Sequence, residues 1–242
     1  MSETFFPVLI LNARPAAGKS EIIHALKTTP VEERIARFHI GPLHILDDFP
    51  MLWTWFEEDH LLETVFHQPR LHTTADGYFL TTDLWHLLIQ RLSLEYEKWR
   101  RDTPEGHTAV LEFSRGAEHS GYEAAYQHLS REILSLAACL YVDVTYEESL
   151  RKNRARFNPE RPDSILEHGL PDEKLERLYR DDDWSSFSSG NLHYLSVQDV
   201  QVPYVNFENA DDVTSNGGEA LYTRLEERLG ELWSLWQRRP AV

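Results

Sequence analysis

The chain has 242 residues, 41% of them hydrophobic, enough to bury the core of one domain of ordinary size. Forty acidic against twenty-four basic residues give a formal charge of -16, which repels phosphate backbones and argues against a nucleic-acid partner. No charged and apolar leader opens the chain, no apolar run reaches the roughly 18 residues of a membrane span, and the single cysteine, Cys139 in "LAACLYV", excludes a disulfide framework; a cytoplasmic protein without a membrane partner is expected.

The run "PVLIL" is of the buried parallel-strand kind, and "KSEIIHALKTT" follows as a helix that stops at Pro30. A second short strand is expected at "LHIL". Two helices come next, "MLWTWFEEDHLLETVF" and "TTDLWHLLIQRLSLEYEKWRR", separated by a polar linker around "HTTADGY". "HTAVLEF" is a third strand, "GYEAAYQHLSREILSLA" one helix, "ACLYVDV" a fourth strand and "YEESLRKNRARF" a basic helix. The polar, proline-punctuated stretch "NPERPDSILEHGLPDEKLERLYRDDDW" reads as an excursion outside the sheet, "VPYVNF" as the last strand, and "GEALYTRLEERLGELWSLWQRR" as a closing amphipathic helix. Strands alternating with helices predict a single α/β domain over 1–242, a five-stranded parallel sheet covered on both faces, with ligands at the carboxyl ends of the strands.

Directly behind the first strand stands "NARPAAGKSE", Asn12 to Glu21. It matches the phosphate-loop pattern Gly, four residues, Gly-Lys-Ser/Thr, except that Ala13 stands where the first glycine belongs. Such a loop turns backbone N–H groups around phosphates at the positive end of the following helix, lysine reaches the terminal phosphates, and the hydroxyl holds magnesium. Ala13, Arg14, Pro15, Ala16, Ala17, Gly18, Lys19, Ser20 and Glu21 are therefore the candidate nucleotide-binding residues. An alanine at position 13 is costly only if its φ is positive.

With these elements and "ARPAAGKSE", the chain resembles the P-loop kinases of nucleosides and nucleoside monophosphates, whose adenylate-kinase-like loop carries the proline, alanine, glycine and lysine matched here by Pro15, Ala17, Gly18 and Lys19. The resemblance implies a P-loop-type three-layer sandwich, a helical acceptor-binding insert over 49–102 and a lid over 151–183. It also implies ATP and magnesium as cofactors and a small-molecule acceptor: a nucleoside, nucleotide, sugar, antibiotic or another alcohol. In that family an acidic residue just after the second strand takes the acceptor's proton, which points to Asp47 or Asp48, with Asp48 favoured. Another ends the third strand and organises magnesium, here Glu112 beside Ser20. Arg115 resembles an arginine that in nucleoside kinases follows this acid directly, and here lies three residues on.

Phosphoryl transfer is mostly positioning and neutralisation of charge, so an acidic chain must bring cations from somewhere. "RKNRARFNPER" concentrates Arg151, Lys152, Arg154, Arg156 and Arg161 where the resembling kinases carry lid arginines; a solvated helix face balanced by Glu147 and Glu148 is the plainer account. Trp53 is a candidate to stack an acceptor ring, against an ordinary core role on an amphipathic helix. Asn206 and Asn209 in "NFENADD" lie where related kinases wrap the base, and the lack of an Asn-Lys-x-Asp signature favours ATP over GTP. The twelve histidines show no zinc-protease spacing. Two other readings stay open, a nucleotide-binding regulatory module and an ATPase coupled to a protein partner. Oligomeric state is not legible.

Overall fold

The computed structural model describes residues 4–103, 105–156 and 169–240. The middle of the expected lid, with Arg161, lies outside the described residues. The centre of the fold is β1 (Val8–Ala13), buried at every position. It is flanked by β3 (Thr108–Phe113) and β4 (Ala137–Asp143), with β2 (Leu43–Asp47) beyond β3 and β6 (Val200–Glu208) beyond β4; all five are parallel. A sixth strand, β5 (Tyr194–Val197), pairs antiparallel with β6. The sheet is thus mixed and six-stranded, a correction to the expected five parallel strands. β5 escapes pattern reading because "YLSVQD" is short and half polar, and because its hairpin turns on Gln198 and Asp199, which take positive φ without a glycine.

Strand alternation sorts the core into two faces. Leu9, Leu11 and Ala13 pack with α1 (Lys19–Thr28), α2 (Val31–Phe38) and α11 (Gly218–Gln237), through residues such as Ile22, Phe38 and Leu225. Val8 and Ile10 face α4 (Asp83–Asp102), α5 (Gly121–Gln127) and α6 (Arg131–Leu136), through residues such as Leu92, Tyr126 and Ile133. The single helix expected over 121–137 is two helices. Ser130 restarts it as an N-cap, its Oγ accepting from Ile133 N at 3.3 Å while its own amide bonds Ser93 Oγ at 3.0 Å.

The remaining helices are α3 (Asp48–Thr64), α7 (Tyr146–Arg156), α8 (Asp172–Tyr179), α9 (Trp184–Ser188) and α10 (Val213–Asn216). Of the expected insert, α4 covers the sheet with Ile89, Leu92 and Tyr96. The linker after α3 is held by a buried carboxylate: Asp59 accepts from the amides of Leu71, His72 and Thr73 and from Thr73 Oγ1. These four donors hold the Asp59 carboxyl down at about 2 against the opposing pull of burial. Among the described residues, no helix is long and apolar enough to cross a membrane.

Candidate active site

The loop between β1 and α1 is fixed from outside, which leaves its inner side for a ligand. Pro15 O accepts from Ser149 Oγ at 2.7 Å and Ala17 O from Asn209 Nδ2 at 2.8 Å, so two carbonyls are drawn away from the cavity. Arg14 turns outward as well, donating to the carbonyls of Val144, Tyr179 and Arg180 and pairing with Asp182 at 2.9 Å. Ala16 and Gly18 take positive φ, 56° and 114°. Gly18 is required twice over, since a Cβ there would also lie 2.5 Å from Thr214 Oγ1. Ala13, by contrast, is the last residue of β1, paired with Val142 and without positive φ; the missing glycine has no conformational cost. The first amides of α1 have no intrahelical acceptor and no side chain caps them.

That uncapped helix end opens on a cavity of about 590 Å³ lined by Pro15 through Glu21, Asp47, Asp48, Glu112 and Arg115. Lys19 is 8% exposed. Its Nζ donates to Ser114 Oγ at 2.7 Å and lies 3.9 Å from Glu112 Oε1. Asp47 and Glu112 are register partners on β2 and β3, level with Leu11 of β1, and share its face of the sheet, the α1 side. Burial pushes both carboxyls up, and each lies in the field of other acids. Asp47 reaches about 7, through burial first, then Glu112 and Asp48, against its bond from the Phe49 amide and the charge of Lys19. Two acids and a lysine around one space hold charge density suited to a cation and phosphates together.

Asp47 and Asp48 both face the cavity because the chain turns from strand to helix between them. Asp47 ends β2 and caps α3, accepting from Phe49 N at 2.9 Å; Asp48 opens that helix. Pro50 fits because a first-turn residue needs no N–H. Asp48 Oδ2 lies 2.7 Å from Arg115 Nη1, an ionic contact without hydrogen-bond alignment, so this buried oxygen keeps acceptor capacity. The three-residue offset of Arg115 from Glu112 is spanned by the irregular stretch after β3, and Arg115 is anchored by Ser114 O and Trp85 O.

The cations of α7 divide. Arg151, Lys152 and Arg156 line the cavity, and Arg156 contributes its charge at Glu112. Arg151 is paired with Glu148 and Asp212. Lys152, buried, pairs with Asp212 and donates to Thr214 Oγ1 at 3.1 Å. Arg154 is outside the cavity, 61% exposed at its side chain and paired with Asp172 at 2.6 Å. Asn209 is a brace of the loop, also bonded to Thr214 Oγ1, and Asn206 accepts from Trp184 Nε1 at 3.1 Å. Neither asparagine lines the cavity. Ser114 and Thr214, which sequence reasoning missed, carry no motif; only their neighbours across the fold reveal them.

A second cavity of about 450 Å³ adjoins the first, sharing Phe49, Leu52 and Trp85 as walls, and Trp53 lines it. Among solved structures, the chain is similar to a gluconokinase from Sinorhizobium meliloti 1021, at 10% identity and TM-score 0.46, covering 97% of this chain and 98% of that one. It is also similar to TT1252 from Thermus thermophilus, at 16% identity and TM-score 0.42, covering 98% of this chain and all of that one. No family model matches the chain, and neither does any curated protein sequence.

Proposed function

We propose that the protein is an ATP-dependent phosphotransferase acting on the hydroxyl of a small molecule. The observation that carries this reading is the meeting of three things in one cavity: an uncapped helix end with Lys19, the acid pair Asp47 and Glu112, and Asp48 held against Arg115 beside a second, adjoining cavity. A phosphate chain fits the inner side of the 15–20 loop, with its amides and Lys19 as donors. Magnesium fits the donor set of Ser20 Oγ with Glu112 and Asp47, hard oxygens suited to that ion. ATP–Mg, when bound, supplies the transferable phosphoryl group.

Asp48 is the proposed base. The acceptor oxygen bonds to the γ-phosphorus as the bond to the bridging oxygen breaks; the hydroxyl proton passes to Asp48 and the electron pair leaves with ADP. Arg115 holds Asp48 in place for that step, and Arg156 and Lys152 offset charge on the transferring group. Incubation with ATP–Mg and a panel of alcohols should give an acceptor mass gain of one phosphate, lost in Lys19→Ala. No such gain with any acceptor, together with equal ATP–Mg affinity in Lys19→Ala and the parent, would overturn this reading.

A further inference from the structure

The second cavity is unlike a site for a sugar acid, a nucleotide or a base. Its walls are mainly rings and aliphatic chains: Trp53, Phe56, Phe79, Trp85, Leu178 and Tyr179. Some of those rings already pack on one another, Phe56 stacked on Phe79 at 5.7 Å and Phe79 tilted by 60° against Trp85 at 4.6 Å, which fixes them as a wall. Among the described residues two cations line it, and both are engaged. Arg177 Nε donates to both Glu118 oxygens at 3.0 Å and lies over the Tyr78 ring at 4.1 Å. Lys174 Nζ donates to Gly77 O at 3.3 Å and lies 5.1 Å from that ring. Glu118 already offsets the Arg177 charge, so an anionic acceptor would compete with that pair. Among the described residues no asparagine or glutamine lines the cavity, and these side chains carry the paired donor and acceptor that read a base edge. The polar groups left are few, among them Thr82, which stands at the N-cap of α4 without bonding the helix.

We propose that this cavity takes an uncharged alcohol carried on an aromatic or similarly flat apolar body, with its hydroxyl directed past Phe49 and Leu52 toward Asp48. The inference deepens the kinase reading and rests on it for the word acceptor. The volume, about 450 Å³, falls in the range of small-molecule pockets, where apolar walls supply affinity and a few polar groups fix orientation.

Binding of 2-naphthaleneethanol, followed by energy transfer from the tryptophans and by calorimetry, tests the assignment, with D-gluconate, AMP and adenosine as comparison ligands. The naphthyl alcohol should bind at least tenfold more tightly than any of the three. Trp53→Ala and Phe56→Ala should each weaken it by about tenfold or more, with ATP–Mg affinity unchanged as a check on folding. Tighter binding of gluconate, AMP or adenosine, or naphthyl-alcohol binding indifferent to both substitutions, would overturn the proposal. Trp53-dependent binding with no ATP-dependent mass gain in any ligand, together with equal ATP–Mg affinity in Lys19→Ala and the parent, supports the ligand class and overturns the kinase reading; phosphorylation of gluconate or AMP alone does the reverse.

Discussion

Arg115 Nη1 lies 2.7 Å from Asp48 Oδ2, with the two side chains only 1% and 9% exposed. Removing one partner of a buried pair leaves an uncompensated charge, which costs about 3–5 kcal/mol. Arg115→Met should therefore lower stability at pH 7 by about that amount. Most of the loss should return in the double variant Arg115→Met/Asp48→Asn, because no lone charge is then buried. Urea unfolding of the four proteins measures the coupling; a coupling near zero would mean that the pair is not formed in solution.

The loop makes opposite forecasts for two neighbouring small residues. Ala13 lies in ordinary strand geometry, so Ala13→Gly should change ATP–Mg affinity little while weakening the strand by about 0.5–1 kcal/mol. Gly18 combines φ 114° with a close approach of Thr214, so Gly18→Ala must distort the loop and should abolish binding. Lys19→Ala should weaken binding strongly with the fold intact. Calorimetric titration of the three variants checks all of this.

How much of this was legible in the sequence follows from how local each signal is. The five parallel strands and the loop could be read because an apolar run and a Gly-Lys-Ser turn are contiguous in the chain. The edge strand β5 and helix α2 were not, since one is half polar and the other, "VEERIARF", is a short charged helix directly behind the Pro30 stop. Asp47, Asp48, Glu112 and Arg115 could be singled out from strand ends, but their pairing could not. Register sets Asp47 beside Glu112, and Arg115, just past the end of β3, meets Asp48 at the start of α3. Asn206 and Asn209 were placed near the base through backbone atoms by their position after the last strand; the bond of the Asn209 side chain to Ala17 O, far away in the chain, left no trace in the sequence.

Asp47 should make the ligand-free protein pH-sensitive in an unusual direction. Its folded carboxyl titrates at about 7, raised by burial and by Glu112, whereas the unfolded one titrates near 3.9. Stability from this group is therefore full below about pH 4, falls as pH rises through 7, and stays low above it. Asp47→Asn removes the charge. In magnesium-free buffer the variant should match the parent near pH 4 and exceed it by about 1–2 kcal/mol at pH 8, a figure reduced for partial exposure. Thermal melts across that range show it, and a variant less stable at pH 8 than the parent would contradict it.

Two arginines of α7 with similar sequence surroundings should behave differently. Arg156 lines the cavity and acts on Glu112, whereas Arg154 is an exposed partner of Asp172. Arg156→Ala should lower kcat by about tenfold or more, as loss of a charge aimed at the transferring group does. Arg154→Ala should stay within about threefold, the scale of an exposed ion pair. Steady-state kinetics with a confirmed acceptor separates the two; losses within about threefold for both would place Arg156 outside the chemistry, and large losses for both would bring Arg154 into it.

The last forecast concerns which aspartate takes the acceptor's proton. Asp47 lies on the β3 side beside Glu112 and within the field of Lys19, a position suited to a cation and its water. Asp48 is held by Arg115 and followed directly by Phe49, which belongs to both cavities. A general base contributes on the order of a hundredfold or more to rate and little to nucleotide binding. Asp48→Asn should thus bind ATP–Mg normally and lose nearly all transfer. Asp47→Asn should weaken magnesium-dependent ATP binding and keep more of its turnover at saturating magnesium. The comparison needs both readings, because a loss of transfer in Asp48→Asn accompanied by an equal loss of ATP affinity would mark a collapsed cavity and not a missing base. If both amides phosphorylate a confirmed acceptor at the parental rate, the base is neither aspartate, and Glu112, 3.9 Å from Lys19, is the remaining carboxylate of that cluster to test.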